Sequence, residues 1–205
     1  AGASLANHGS INLNSATVSG SGTLANAAGG TVAGRGSITA QFSNAGALVL
    51  ESGTTLVSKA FTSSGQIQLT SNAATLAGGL VSNNGQIEGR GRVGNDVHNT
   101  GLLQALGGTL TFAGALANTG SGVIAVGSGA KVLALTGLAR NEAHVQLDGG
   151  TFDNNGAVLL NATTGTISGF GTLRSGALVN EGRLLLADGT SAVHADVLAN
   201  GGSQM

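Results

Sequence analysis

Two stretches of the chain hold the side chains best equipped for chemistry. Glu88, Arg90, Arg92 and Asp96, with His98 beside them, form the first, and Arg140, Glu142, Asp148 and Asp153, with His144 among them, the second. Paired carboxylates are what acid and base catalysis on a glycosidic bond requires, one group giving a proton while the other takes one. Asp148 and Asp153 are the pair this chemistry would use. Such sites commonly hold sugars against aromatic rings, and the chain has five Phe and no Trp or Tyr. Exposed turns also collect charge without any catalytic purpose. We take these stretches as solvated turns, with a ligand or partner surface as the alternative, because loops are where function is displayed.

The remaining motifs narrow the chemistry further. His8, His98, His144 and His194 show no H-x-x-H or H-E-x-x-H spacing, and Cys is absent, so no zinc site is expected. "GRGRVG" at 89–94 spells a dinucleotide-binding string, but that chemistry needs a helix after the glycines and none is expected. No Ser has the G-x-S-x-G context of a nucleophile elbow. "LDGGTFD" at 147–153 shares only fragments of a calcium-binding nonapeptide. "NAT" at 161–163 is a formal glycosylation acceptor. Thr109 with Thr111, and Thr164 with Thr166, are the T-x-T pairs an ice-binding face would use, without a register linking them. The expectation is a protein that is not an enzyme, with no catalytic residue, no cofactor and no metal.

What must position these residues is a repeat. An aliphatic, then Asn, then Gly two residues on, then another aliphatic recurs with Asn at 7, 26, 44, 83, 99, 118, 154, 180 and 200, while Ser63 and Arg140 fill the two other slots. Gly stands two residues later at 9, 46, 65, 85, 101, 120, 156, 182 and 202, with Ala28 and Glu142 as exceptions. A second signature, Gly-x-Gly followed by an aliphatic, occurs in "VSGSGTL" at 18–24, "VAGRGSI" at 32–38, "IEGRGRV" at 87–93 and "ISGFGTL" at 167–173. Between these lie short runs of alternating apolar and polar residues, the period of a strand with one buried face. The N-x-G unit reads as a corner, with Gly supplying positive φ and Asn bonding nearby backbone.

Composition agrees. The 205 residues include 37 Gly and no Pro, which would interrupt a sheet ladder. Eight basic and nine acidic residues give a net charge of −1, so neither nucleic acid nor an anionic membrane surface is an expected partner. Apolar runs are too short to span a bilayer. A lone coil of about nineteen residues loses more conformational entropy than its few buried aliphatics return, so each winding must be covered by the next. The spacing therefore predicts a right-handed parallel β-helix, a β-solenoid of about ten coils at roughly 19 residues per coil, over residues 1–205 as one domain. An Asn column running up the corner could form an amide ladder. A leucine-rich horseshoe has a similar period, but its L-x-x-L-x-L pattern and helical half are missing.

The "LxNxGxIxL" and "GxGTL" phrases resemble the degenerate repeats of secreted bacterial β-helix proteins, the filamentous-haemagglutinin-type adhesins and autotransporter passenger domains. That resemblance covers essentially the whole chain and implies an exported, rod-like protein of the cell surface, concerned with adhesion or surface filaments. It implies a shaft segment or stackable subunit without membrane insertion. "AGASLAN" and "VLANGGSQM" lack capping features, so the expected partners are further copies end to end, or a surface on a host or cell. The alternatives are a polysaccharide lyase or hydrolase built on a β-helix, and an ice- or carbohydrate-binding solenoid.

Overall fold

In the segment Gln-Ile-Gln-Leu at 66–69, Ile67 and Leu69 are fully buried while Gln66 and Gln68 face outward. Alternation of this kind, repeated around each winding, forces the chain into strands that wall a single apolar interior. The computed structural model describes residues 2–199, with side chains through residue 196. Among these residues are twenty-three strands and no helix, joined in one continuous sheet. Each strand pairs in parallel with the equivalent strand one winding further on. The chain is thus a parallel β-solenoid of about ten coils.

A representative coil has three walls: Gln41–Asn44, Ala47–Leu50 and Gly53–Val57. The next coil continues with Phe61–Ser63 and then Gln66–Gly78, a long strand that bends through a corner and pairs with both preceding walls. The second wall carries an unbroken aliphatic column, Ile11, Val32, Leu48, Ile67, Ile87, Leu103, Ile124, Val145, Ile167 and Leu184. On the first wall Phe42 and Phe61 stack with ring centroids 5.2 Å apart and planes tilted by 57°. Like therefore lies on like, and each winding covers apolar surface that its neighbour would otherwise expose to water.

The corner after the first wall contains an amide ladder. Asn7, Asn26 and Asn44 donate in turn to the next rung at 2.8, 2.7 and 3.0 Å, the last of these bonds ending on Ser63 Oγ. The ladder resumes at Asn83 and passes through Asn99, Asn118, Asn141 and Asn161 to Asn180, each step 2.7–2.9 Å. The second amide proton of most rungs bonds a backbone carbonyl of the following coil, as Asn44 does with Gln66 and Asn118 with His144.

Two slots differ from the sequence reading. The rungs are Asn141 and Asn161, whereas Arg140 faces solvent and Asn154 is buried at another corner, bonded to Leu138. With these substituted, rung spacings run from 16 to 23 residues. Asn200 and Gly202, also read as repeat positions, lie outside the described residues.

The glycines beside the ladder also serve a different purpose from the one expected. Gly46, Gly65, Gly85 and Gly101 are absent from the left-handed region. A Cβ on any of them would stand 2.1–2.2 Å from the carbonyl oxygen of the glycine one coil earlier. Close stacking, not turn conformation, excludes a side chain there. Gly30, Gly122 and Gly165, four residues after their Asn, occupy this column where the corner is longer. Gly120 and Gly156 lie in turns instead, with φ of 60° and 75°.

The Gly-x-Gly motifs likewise separate into two groups. Gly34/Gly36, Gly89/Gly91 and Gly169/Gly171 all have positive φ and turn the corner between the second and third walls. Gly20 and Gly22 belong to the opposite corner, and only Gly20 has positive φ.

Candidate functional surface: the charged windings

The first charged stretch is one winding unrolled. Glu88 faces outward on the second wall, Arg90 sits in the following corner, Arg92 is on the third wall, Asp96 in the next corner and His98 on the first wall. The second stretch is dispersed in the same way, from Arg140 on the first wall through Glu142 and His144 to Asp148 and Asp153. Strand alternation sends every second side chain to solvent, so proximity in sequence becomes separation around the circumference. The ladder spacing is not enlarged at both stretches either. The first stretch lies in the shortest step of the ladder, 16 residues from Asn83 to Asn99, while the longest, 23 residues, runs from Asn118 to Asn141.

Local partners occupy most of these groups. Glu88 accepts amide hydrogens from Gln66, Gln68 and Gln86 at 2.7, 2.8 and 2.5 Å. Asp96 Oδ1 accepts the backbone N–H of Ala115 at 2.8 Å, and Arg90 donates to the Gly107 carbonyl at 3.3 Å. Arg140 pairs with Glu142 at 2.5 Å, and Gln146 donates to both Asp148 oxygens. His98 and His144 each meet a hydroxyl one coil further on, Thr119 Oγ1 at 2.8 Å and Ser168 Oγ at 2.6 Å.

Asp153 is the most constrained. Lys131 Nζ lies 2.6 Å from its Oδ2, and the Asn155 backbone N–H donates to Oδ1 at 2.9 Å. Burial by itself would raise the Asp153 pKa. The hydrogen bonds from Lys131 and Asn155, with the charges of Lys131 and Arg174, outweigh it and hold the carboxyl below its ordinary value. A proton donor near neutral pH needs the reverse. Asp153 stands on the third wall and Asp148 in the corner before it, each with its own partner.

Sequence reasoning missed Ser168 and the three glutamines around Glu88: Ser168, Gln66 and Gln68 reach their partners from neighbouring coils and depend on register, while Gln86 stands two residues before Glu88 on the same strand. Of the Thr pairs, Thr111 lies between Arg92 and Leu133, Thr109 beside Lys131, and Thr166 between His144 and Arg183. Thr164 bonds the Glu142 carbonyl in a corner. Asn161 of the glycosylation string is wholly buried as a ladder rung. Past "GRGRVG" the chain continues as strand and corner into Val97–Asn99.

An open groove of about 550 Å³ has the glycine column from Gly30 to Gly85 as its floor. Its rim carries Thr31, Gln66 and Gln86, and no ionisable side chain lines it. Among the described residues no three His, Asp or Glu side chains converge as metal ligands. Comparison with protein-family models, curated proteins and solved structures finds no match to this chain.

Proposed function

We propose that the chain is a non-enzymatic structural rod, serving as the shaft of an extracellular or cell-surface adhesin or as a subunit of a surface filament. The observation that carries this reading is the consumption of inward and corner positions by contacts between coils. Asn amides, glycine backbone and the aliphatic column all engage the next winding. About ten coils at an inter-strand spacing of about 4.8 Å give a rod close to 50 Å long. A surface location is supported by the resemblance of the repeat phrases to those of secreted bacterial β-helix proteins. Sparse surface charge would offer little repulsion to copies associating end to end.

Electron microscopy of the purified chain tests the proposal: short rods fit a spacer, and long fibres of the same width fit a filament subunit. Globular particles would refute both. A screen for cleavage of acidic polysaccharides, with Asp148→Ala and Asp153→Ala as controls, addresses the enzymatic alternative. Cleavage lost in those variants would replace the present reading.

A further inference from the structure

The chain contains the dipeptide Asn-Gly at 84–85, 155–156 and 200–201, and the fold treats the first two, which lie among the described residues, differently. In any Asn-Gly unit the glycine nitrogen can attack the Asn side-chain carbonyl carbon. A new C–N bond closes a five-membered succinimide, the bond to Nδ2 breaks, and the nitrogen leaves as ammonia, with the glycine N–H proton passing to solvent base. Water then opens either imide bond, giving Asp or its β-linked isomer, so that one water is consumed and one ammonia released. Glycine favours the reaction because no side chain obstructs the approach. The attacking N–H must be accessible and uncommitted.

At Asn84 that requirement fails. The Gly85 N–H donates to the Ser63 carbonyl at 3.0 Å. Gly85 is also packed so closely that a Cβ would fall 2.1 Å from the Gly65 carbonyl oxygen. Attack would require two coils to part locally. At Asn155 the conditions are met. Asn155 and Gly156 are both exposed in the turn after His144–Asp153, with φ of 51° and 75°, and a Cβ on Gly156 would meet nothing within 4 Å. The Gly156 N–H makes no hydrogen bond, although the Asn155 N–H is held by Asp153. One exposed bond, Nδ2 to the Leu135 carbonyl at 2.8 Å, restrains the amide, and rotation of the side chain breaks it without disturbing the sheet.

We propose that Asn155–Gly156 is a site of spontaneous succinimide formation and deamidation, while Asn84–Gly85 is held inert by the stacking of its coil. The product carboxylate would oppose the Leu135 carbonyl that the amide now binds, and would add negative charge beside the Lys131–Asp153 pair. The β-linked product would also lengthen the main chain in this turn by one methylene.

The test is incubation of the folded protein in mildly alkaline buffer at physiological temperature, followed by peptide mapping for the mass gain of one unit. A parallel sample is kept unfolded in guanidinium. Mapping also separates Asn200–Gly201, which lies outside the described residues. Asn155 is expected to convert at least about tenfold faster than Asn84 in the folded protein, the factor that one ordinary hydrogen bond supplies. In guanidinium the two rates should converge. Conversion of Asn84 as fast as Asn155 in the folded state would overturn the proposal. So would an inert Asn155 in folded protein that reacts once unfolded.

Discussion

Ser63 lies directly below Asn83 in the amide ladder, and the Oδ1 of Asn83 is buried there without a hydrogen-bond partner. Asn44 donates to Ser63 Oγ, but the shorter side chain does not carry the ladder onward. Asparagine at 63 would repeat the geometry of its neighbours, bonding Asn83 Oδ1 and adding a donor for the following coil. Ser63→Asn is therefore expected to stabilise the fold by about 1 kcal/mol. Thermal or denaturant unfolding checks it, and a lowered midpoint would show that the site has no room for the longer side chain.

Removing a central rung should have the opposite effect. Asn118→Ala leaves the Asn99 amide, the Asn141 Oδ1 and the His144 carbonyl each short of one bond inside the corner. A loss of about 3 kcal/mol follows from stranding buried polar groups. Asn7→Ala, at a rung with a neighbour on one side only among the described residues, should cost clearly less. Equal losses in denaturant titrations would mean that the ladder is incidental to stability.

The glycine column gives a sharper contrast. Gly65→Ala would place a methyl 2.1 Å from the Gly46 oxygen, although φ at that position is ordinary. Separating the coils to admit it should cost about 2 kcal/mol or more. Gly9→Ala meets nothing within 4 Å and also lacks a positive φ, so it should be neutral or stabilising by about 0.5 kcal/mol through the unfolded state. Thermal midpoints of the two variants decide whether backbone proximity is the operative constraint.

The Lys131–Asp153 pair makes acid sensitivity predictable in sign. Because the folded pKa of Asp153 lies below the ordinary value of 3.8, the pair stabilises the fold above that value, and the contribution disappears as pH falls through the folded pKa. Denaturation midpoints measured from about pH 5 down to about pH 3 should fall more for the parent than for Asp153→Asn. Parallel profiles would show that the pair contributes nothing measurable.

Strand alternation and the recurring corner were legible because a solenoid repeats its constraints locally, as "QIQL" at 66–69 and "FSNAG" at 42–46 illustrate. The eighth and ninth rungs were not. Asn161 is followed by Ala-Thr-Thr-Gly, so its glycine comes four residues later, and an N-x-G template passes over it in favour of Asn154-Asn-Gly. The signal that identifies it is the preceding "VLLN" at 158–161, which matches "ALVN" at 177–180 one coil later. The contacts of the charged residues were legible only in part, for a different reason. Adjacency along a strand reveals only part of what meets: Gln86–Glu88, Arg140–Glu142 and Gln146–Asp148 pair two residues apart, but Gln66, Gln68 and Ser168 reach Glu88 and His144 from windings some twenty residues away.

The second-wall column presents an equivalent aliphatic floor at every level from Ile11 to Leu184. Reach thereby becomes a quantised trait. Unequal recombination between two coding repeats would extend or trim the molecule by one storey, about 4.8 Å, while handing each surviving residue a neighbour of the kind it already had. Selection on span could then act by counting storeys, with no need to redesign any of them.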